Sequence, residues 1–303
     1  MKILNITNGT NTVDLMQAAE ISGDKLSWDD LLHEGPVPAD LSLDELSVIR
    51  ADYIIAQGWA SAEQVKDKFE TRNKLIKRHL EYDKIILWFE HDLYDQLQLI
   101  QILDWFNQQS TVQAELMLVC VDKHLGNHTP EEFALLVSQI QKVMPQQIET
   151  ATQAWQAFTS PDAKSLENFV ESDLSQLPFL KSALLRLLKE RPTVGGLPQT
   201  ERLILQSLQT EPLAPGKLFV KYQKLEQAEF MGDSTFWSRL NQMAFCEYPL
   251  VEYQVKEKVG YPFNPEQKVK ITDYGQQAIV GEVDWFRDNK MEKYVGGVPL
   301  KKS

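Results

Sequence analysis

The stretch Ile85-Ile86-Leu87-Trp88-Phe89-Glu90-His91-Asp92-Leu93-Tyr94-Asp95-Gln96 says most about the fold of this chain. It opens with an apolar run rich in isoleucine and aromatic residues, which is typical of a buried strand. The run ends in Glu90-His91-Asp92, and an amphipathic segment follows over about residues 93–108. Because open α/β sheets bind ligands beyond the carboxyl ends of their strands, this stretch predicts a buried strand, a helix and a site between them.

Strand and helix patterns alternate around this stretch. We predict strands over residues 2–7, 25–28, 84–89 and 115–121, and helices over about 13–22, 43–57, 61–81, 93–108 and 130–143. Ser42 with Glu45, and Ser61 with Gln64, have the spacing of capping boxes at helix starts. This alternation predicts the α/β class, with a mostly parallel sheet sandwiched by helices over residues 1–145.

The remainder of the chain has a different pattern. Residues 146–195 predict a helical connector that ends in a Pro- and Gly-rich linker over 192–198. Residues 196–303 predict three helices and a two-stranded hairpin, which is the order of a smaller, winged-helix-like α+β domain. We expect the aromatic and Gly-containing C-terminal tail to dock on the body of the protein.

Charge and composition restrict the class of protein. The net charge of −12 lies entirely in residues 1–195, with 17 basic and 29 acidic residues, whereas 196–303 hold 14 of each. An acidic body is repelled by nucleic-acid phosphates at long range. The N-terminus lacks a signal-peptide core, no apolar run is long enough for a membrane span, and Cys120 and Cys246 stand alone. We therefore expect a cytoplasmic protein with no membrane partner, and a homo-oligomer remains an open alternative.

Polar clusters follow three of the predicted strands. His33-Glu34-Gly35-Pro36 follows the second strand, Glu90-His91-Asp92 the central one, and Asp122-Lys123-His124 the next, with His128 close behind. Parallel strands open on one edge of their sheet, so four of the five histidines (His33, His91, His124 and His128) are predicted to converge there.

The residue types in these clusters suit two chemistries, metal ligation and acid–base catalysis. The candidates for catalysis are His91, Glu90, Asp92, His33 and Asp122. The candidates for ligating a divalent metal are His91, Asp92, Asp122 and His124. The candidates for contacting a small-molecule ligand are Asn8, Gly9, Thr10, Glu34, Asp95 and His124. The sequence contains no His-Glu-x-x-His, Gly-x-Ser-x-Gly or Walker spacing that would decide between the chemistries.

Structural roles compete for several of these residues. Asp92 and Asp95 suit an N-cap and a first-turn acid, which stabilise a helix start by about 1 kcal/mol. The turn from Asn8 to Asn11 could hold an anion at a helix N-terminus or be an ordinary capped turn, which we favour. Arg50 could bind an anionic ligand, but pairing with a neighbouring acid is the preferred interpretation.

Two functional hypotheses follow. In the first, the strand-end cluster is the site of a hydrolase that acts on a small or phosphorylated substrate, with His91 or His33 as general base. In the second, the α/β domain senses a ligand and the winged-helix-like domain binds DNA or a protein partner. For DNA, the predicted recognition helix offers Arg239, Asn241 and Gln242. Nucleic acid is the less favoured partner, because Lys256, Lys258 and Lys268 of the predicted wing are offset by Glu257 and Glu266.

Several motifs resemble a bacterial family called domain of unknown function eighteen thirty-five. The resemblance covers nearly the whole chain and rests on residues 7–9, 28–30, 33–38, 88–97, 200–202, 232–237, 281–285 and 295–298. The chain departs from the family pattern at Thr10, where many members have Asp, and at Pro299, where many have His. The resemblance implies an N-terminal α/β domain with a C-terminal winged-helix-like domain, and it implies no reaction.

Overall fold

A computed structural model describes residues 1–260 and 264–301. The chain divides into two compact units, the first formed by Met1–Leu185 with Gly296–Val298 and the second by Arg186–Val295 with the residues from Pro299. The division falls at residue 185 and not in the predicted linker, so most of the predicted helical connector belongs to the first unit. Within the described ranges, no helix is both long and apolar enough to cross a membrane.

The first unit is built on a five-stranded sheet. Its strands are β1 (Ile3–Thr7), β2 (Asp24–Ser27), β3 (Lys84–Glu90), β4 (Glu115–Val121) and β5 (Gln141–Lys142). Their order is β2-β1-β3-β4-β5, and all neighbouring pairs are parallel except β4–β5. The predicted α/β class with a mostly parallel sheet is confirmed. The short strand β5 was not predicted, because two exposed residues carry no hydrophobic pattern.

Strand β3 lies at the centre of this sheet, between β1 and β4. It pairs along its length with β4, from Lys84 opposite Glu115 to Glu90 opposite Val121, and on its other side with β1. The chain runs from β1 outward to β2 and then crosses back to β3, so the strand order reverses between β1 and β3. Ligand crevices of open α/β sheets form at such a reversal, beyond the carboxyl ends of the two strands.

Helices cover the sheet. They are α1 (Thr10–Ala18), α2 (Leu43–Ala56), α3 (Ala62–Ile76), α4 (Leu93–Asn107), α5 (Pro130–Leu135), α6 (Pro145–Thr159), α7 (Ala163–Phe169) and α8 (Leu180–Leu188). The predicted capping boxes at Ser42 and Ser61 are formed, and Thr129 makes a third with Glu132. The helix predicted to reach residue 143 ends at Leu135, because a short 3-10 turn and β5 take the rest of that segment.

The long loop after β2 is held by two buried arginines. Arg50 is fully buried and donates to the Asp30 carboxylate at 2.9 Å and to the carbonyls of Leu31 and Glu34 at 2.8 and 2.6 Å. Arg72 lies 3.8 Å from the same carboxylate and packs over the ring of Trp28. Arg50 is therefore a structural partner of a neighbouring acid, as preferred from the sequence, and its guanidinium is not available to an anionic ligand.

The second unit follows the predicted order of helices and hairpin. Its elements are α9 (Gln199–Leu208), α10 (Pro215–Gln223), α11 (Asp233–Ala244), β6 (Val251–Tyr253), β7 (Val269–Ile271), α12 (Asp273–Val280), α13 (Trp285–Asp288), β8 (Glu292–Val295) and β9 (Val298–Lys301). Strands β6 and β7 are antiparallel, and Leu213 bridges Val269. Phe236 and Trp237 are buried in its core. The predicted wing loop includes residues 261–263, which lie outside the described residues.

We predict that Arg50→Met lowers the free energy of unfolding by about 3–5 kcal/mol, because it leaves the Asp30 carboxylate buried without its closest cation. Urea unfolding followed by circular dichroism measures this change. The matched control is Lys74→Met, which removes an exposed ion pair to Glu70 on α3 and should change stability by no more than about 0.5 kcal/mol. Equal effects of the two substitutions would contradict a structural role for the Arg50–Asp30 pair.

Candidate functional site

The turn between β3 and α4 brings three carboxylates together. Asp92 is the N-cap of α4, and its side chain accepts from the Asp95 N–H at 3.0 Å. The Asp95 carboxylate in turn accepts from the Glu90 N–H at 2.8 Å. Glu90, Asp92 and Asp95 are 3%, 4% and 0% exposed. The predicted capping role of Asp92 is confirmed, and the same turn holds Glu90 at the end of β3 in a fixed conformation.

The carboxylate of Glu90, at the end of β3, contacts residues that follow β1 and β4, the two neighbouring strands. Its Oε2 lies 2.5 Å from His124 Nδ1, which must donate because a carboxylate can only accept. Its Oε1 accepts from the Leu125 N–H at 2.7 Å and from Asn8 Nδ2 at 3.1 Å. The Asn8 amide also donates to Asp95 at 2.9 Å. Asn8 follows β1, Glu90 ends β3 and His124 follows β4, so the crevice at the strand reversal is lined by these residues.

His124 forms the accessible side of this cluster. Its side chain is 26% exposed, and its Nδ1 lies 3.4 Å from Asp92 Oδ2 as well as close to Glu90. Hydrogen bonding to the carboxylates of Asp92 and Glu90 raises the pKa of His124 from 6.5 to about 10. The ring of His91 lies 5.2 Å from that of His124, and His91 Nδ1 is buried with no hydrogen-bond partner among the described residues. Two imidazoles thus stand beside the carboxylates.

Burial changes the ionisation of two neighbouring groups. The pKa of Asp95 is raised well above its usual value, first because the carboxyl is desolvated and then because Asp92 and Glu90 repel its charge. Burial also raises the pKa of the Cys120 thiol to about 12, and this thiol contacts the Glu90 carbonyl and the Gln96 amide. Cys120 therefore remains a thiol at neutral pH and is not a nucleophile candidate.

Three predicted site residues lie elsewhere. Asp122 is exposed and makes no hydrogen bond or ion pair within the described residues, so it does not join the cluster. His128 Nδ1 lies 3.1 Å from the carbonyls of His124 and Leu125, where it supports a turn. His33 is buried with its ring edge against Tyr94. The rings of His91 and His124 lie 5.2 Å apart, whereas His33 reaches the same edge of the sheet through Tyr94, whose hydroxyl donates to the Asn8 carbonyl at 3.0 Å.

Glu34, one of the predicted ligand-binding residues, is also buried outside the carboxylate cluster. It is buried beside His33 in the loop after β2, and its carbonyl accepts from Arg50. It is not a member of the carboxylate cluster formed by Glu90, Asp92 and Asp95.

The turn before α1 holds a carboxylate of the protein itself. Gly9 is the N-cap of α1 and lacks a capping side chain. The Thr10 N–H and Oγ1 instead donate to Asp29 at 3.3 and 3.0 Å, and Lys68 Nζ lies 3.3 Å from the same carboxylate. Asp29 thus occupies the position that a bound anion would take beside Asn8, Gly9 and Thr10, so this turn is capped by the protein itself. Asp29 was not identified from the sequence. No local pattern indicates that this residue, which follows β2, caps α1, the helix that follows β1.

The side chains proposed to read DNA bases are engaged within the second unit. Arg239 Nη1 donates to Glu201 at 3.2 Å, and the Arg239 side chain is 8% exposed. Asn241 donates to the Val259 carbonyl and accepts from its N–H at 2.9 and 2.8 Å. Gln242 Nε2 contacts Met291 Sδ at 3.7 Å. The contacts of Arg239 and Asn241 hold α11 and the loop at Val259 together and occupy the donors that base reading would require, whereas Gln242 is exposed.

The cluster can bind a cation, and the imidazole of His91 next to it can accept a proton. Glu90, Asp92 and His124 each offer one ligand atom, and these atoms lie within 4.8 Å of one another. Carboxylates and imidazole together are ligands of divalent transition metals. The sequence matches no protein-family model and no curated protein. The family resemblance of the motifs therefore stands as a proposal.

We predict that the chelator-treated chain keeps the His124 imidazole protonated at pH 8, where a free imidazole is neutral. Imidazole-detected ¹H–¹⁵N NMR across pH 5–11 measures this pKa. Glu90→Gln should lower it, because an amide of similar shape replaces the charged acceptor. Since the pKa is raised on folding, the pair stabilises the fold fully below pH 6.5, and this contribution is lost as pH rises towards about 10. A wild-type pKa near 6.5 would contradict the observed geometry.

Proposed function

We propose that this protein is a hydrolase whose active site is the crevice at the carboxyl ends of β1, β3 and β4. The observation that supports this most is the cluster of Glu90, Asp92 and His124 at the strand reversal, with His91 beside it. Burying three carboxylates lowers the free energy of unfolding, because each loses its hydration. Buried ionisable groups of this kind are concentrated at functional sites. An ordinary helix cap would need only Asp92.

In the proposed reaction, His91 is the general base and the cluster positions the attacking water. The water oxygen forms a bond to the acyl carbon or phosphorus of an ester, one water proton passes to His91, and the bond to the leaving oxygen breaks. The leaving oxygen then takes up a proton from the protonated His91. An imidazole is suited to both transfers near neutral pH, and such acid–base catalysis contributes about 10²–10⁴-fold to rate.

The charge of the crevice limits the substrate. Within the described residues, no Lys or Arg side chain lies within 4 Å of the Glu90 or Asp92 carboxylate, and Asp29 fills the N-terminus of α1. A phosphorylated substrate would be repelled unless a cation lies between its phosphate and these carboxylates. We therefore propose a small ester as the substrate class, with phosphate esters accepted only in the presence of a divalent cation.

The alternative is a ligand-sensing regulator that uses its second unit as a winged helix on DNA. The order of three helices and a hairpin supports it. We do not adopt it, because Arg239 and Asn241 are engaged within their own unit and the helix offers no further cation. A cytoplasmic location suits either function and remains part of the proposal.

We predict that the purified chain hydrolyses at least one of three chromogenic substrates, p-nitrophenyl acetate, p-nitrophenyl phosphate or bis-p-nitrophenyl phosphate, assayed with and without Mn²⁺. His91→Asn should lower kcat by about 100-fold or more while leaving the circular dichroism spectrum unchanged, because it removes the base and keeps a polar side chain.

The matched control is His128→Asn, a histidine of the same sheet edge whose Nδ1 is engaged by backbone carbonyls. Its kcat should remain within about two-fold of wild type, because His128 has no part in the proposed proton transfer. Wild-type protein that turns over none of the three substrates, or His91→Asn protein with undiminished kcat, would contradict the proposed function.

A further inference from the structure

We infer that Glu90, Asp92 and His124 form a binding site for one divalent transition-metal ion. This inference deepens the proposed function, on which its catalytic meaning rests, but the site itself is argued from charge and geometry. Its three ligand atoms lie within 4.8 Å of one another and come from two loops, one after β3 and one after β4. Ligands from separate loops can close around an ion, whereas neighbouring residues of one loop cannot all point inward.

The charges around Glu90 and Asp92 favour a cation at this position. Several other buried carboxylates have arginine or lysine partners: Asp30 pairs with Arg50, Glu201 with Arg239, and Glu190 with Arg186 and Lys293. The buried carboxyl of Asp104 has no such partner in the described part of the chain and accepts from the Gln108 amide. Glu90 and Asp92 are equally buried, and within the described residues their only cationic neighbour is His124.

The carboxyl of Asp95 accepts from the Glu90 N–H and holds the turn that places Glu90 and Asp92 together. Burying an uncompensated carboxylate costs several kcal/mol, so this concentration of charge is expected where a metal ion supplies the compensation.

The surroundings of the ligands have the form of a supporting shell. The Leu125 N–H and the Asn8 amide orient Glu90 Oε1, which leaves Oε2 directed to the cluster. The Asp95 N–H orients Asp92 Oδ1, which leaves Oδ2 towards His124. In metal sites such hydrogen bonds hold the ligand oxygens in place and are worth about 10–100-fold in affinity. Each of the two carboxylates thus has one oxygen fixed by the fold and one directed to the shared position.

The donor set selects the class of metal. One imidazole nitrogen with two carboxylate oxygens suits Mn²⁺, Fe²⁺, Co²⁺ or Zn²⁺, whereas Mg²⁺ and Ca²⁺ prefer sites made of oxygen alone. Three protein ligands leave coordination positions for water, as catalytic sites require. The exposed side of His124 provides the access from solvent. The ring of His91, the proposed general base, lies 5.2 Å from that of His124.

The test is Mn²⁺ binding to the full chain after chelator treatment, followed by the electron paramagnetic resonance signal of free Mn²⁺. Wild type should bind one equivalent. Glu90→Gln and Asp92→Asn should each weaken binding at least ten-fold, because each removes a charged ligand at nearly constant shape. Asp122→Asn is the matched control, since it removes an exposed carboxylate two residues from His124, and it should bind as wild type does.

A second measurement uses the wild-type protein alone. Sub-stoichiometric Mn²⁺ should broaden the imidazole NMR signals of His124 and His91 before those of His79, which is buried on another part of the sheet unit. Absence of binding by wild type, equal binding by Glu90→Gln, or broadening that spares His124 would overturn the inference.

The outcomes separate the metal site from the reaction. Mn²⁺ binding without turnover of any ester would leave the site intact and contradict the proposed hydrolase. Turnover that persists in excess chelator, together with absence of Mn²⁺ binding, would support the hydrolase and overturn the metal site. Turnover that requires Mn²⁺ and is lost together with binding in Asp92→Asn would support both.

Discussion

The parallel pairing of β3 with β1 and β4 is the constraint on which the candidate site depends. It places the carboxyl ends of these three strands on one edge, and the reversal of strand order between β1 and β3 leaves a crevice there. Asn8, Glu90 and His124 are brought together from positions more than 30 residues apart because of this register. A slip of one residue in β3 would turn the Glu90 side chain to the opposite face of the sheet.

Two kinds of buried carboxylate coexist in this molecule, and the difference between them carries the functional argument. Asp30 and Glu190 are paired with arginine or lysine, and their role is to hold loops and helices in position. Glu90 and Asp92 are instead held by backbone N–H groups and face an imidazole. The first arrangement satisfies its own charge, whereas the second leaves negative potential directed into a crevice, where a cation or a reacting water can respond to it.

Local signals predicted much of the fold. The apolar run before Glu90 predicted β3, and Ser42, Ser61 and Thr129 marked the starts of α2, α3 and α5. The order of the strands was beyond the sequence, because it depends on which crossovers pack best and not on any local pattern. For this reason the surroundings of His33 could not be predicted: its ring packs against Tyr94 of α4. The role of Asp29 was also missed, because this residue follows β2 but accepts hydrogen bonds from Thr10 at the start of α1. Glu90, His91, Asp92 and His124 were all named as candidates from the sequence, but their contacts, with His124 Nδ1 close to the carboxylates of Glu90 and Asp92, required the structure.

The most direct test of the central claim is a crystal structure of the chain grown with Mn²⁺, with diffraction recorded at an energy where Mn²⁺ scatters anomalously. The account predicts one strong anomalous peak in the crevice, within about 2.3 Å of an oxygen of Glu90, an oxygen of Asp92 and a nitrogen of His124. An empty crevice at millimolar Mn²⁺, or a peak bound to none of these three side chains, would contradict it.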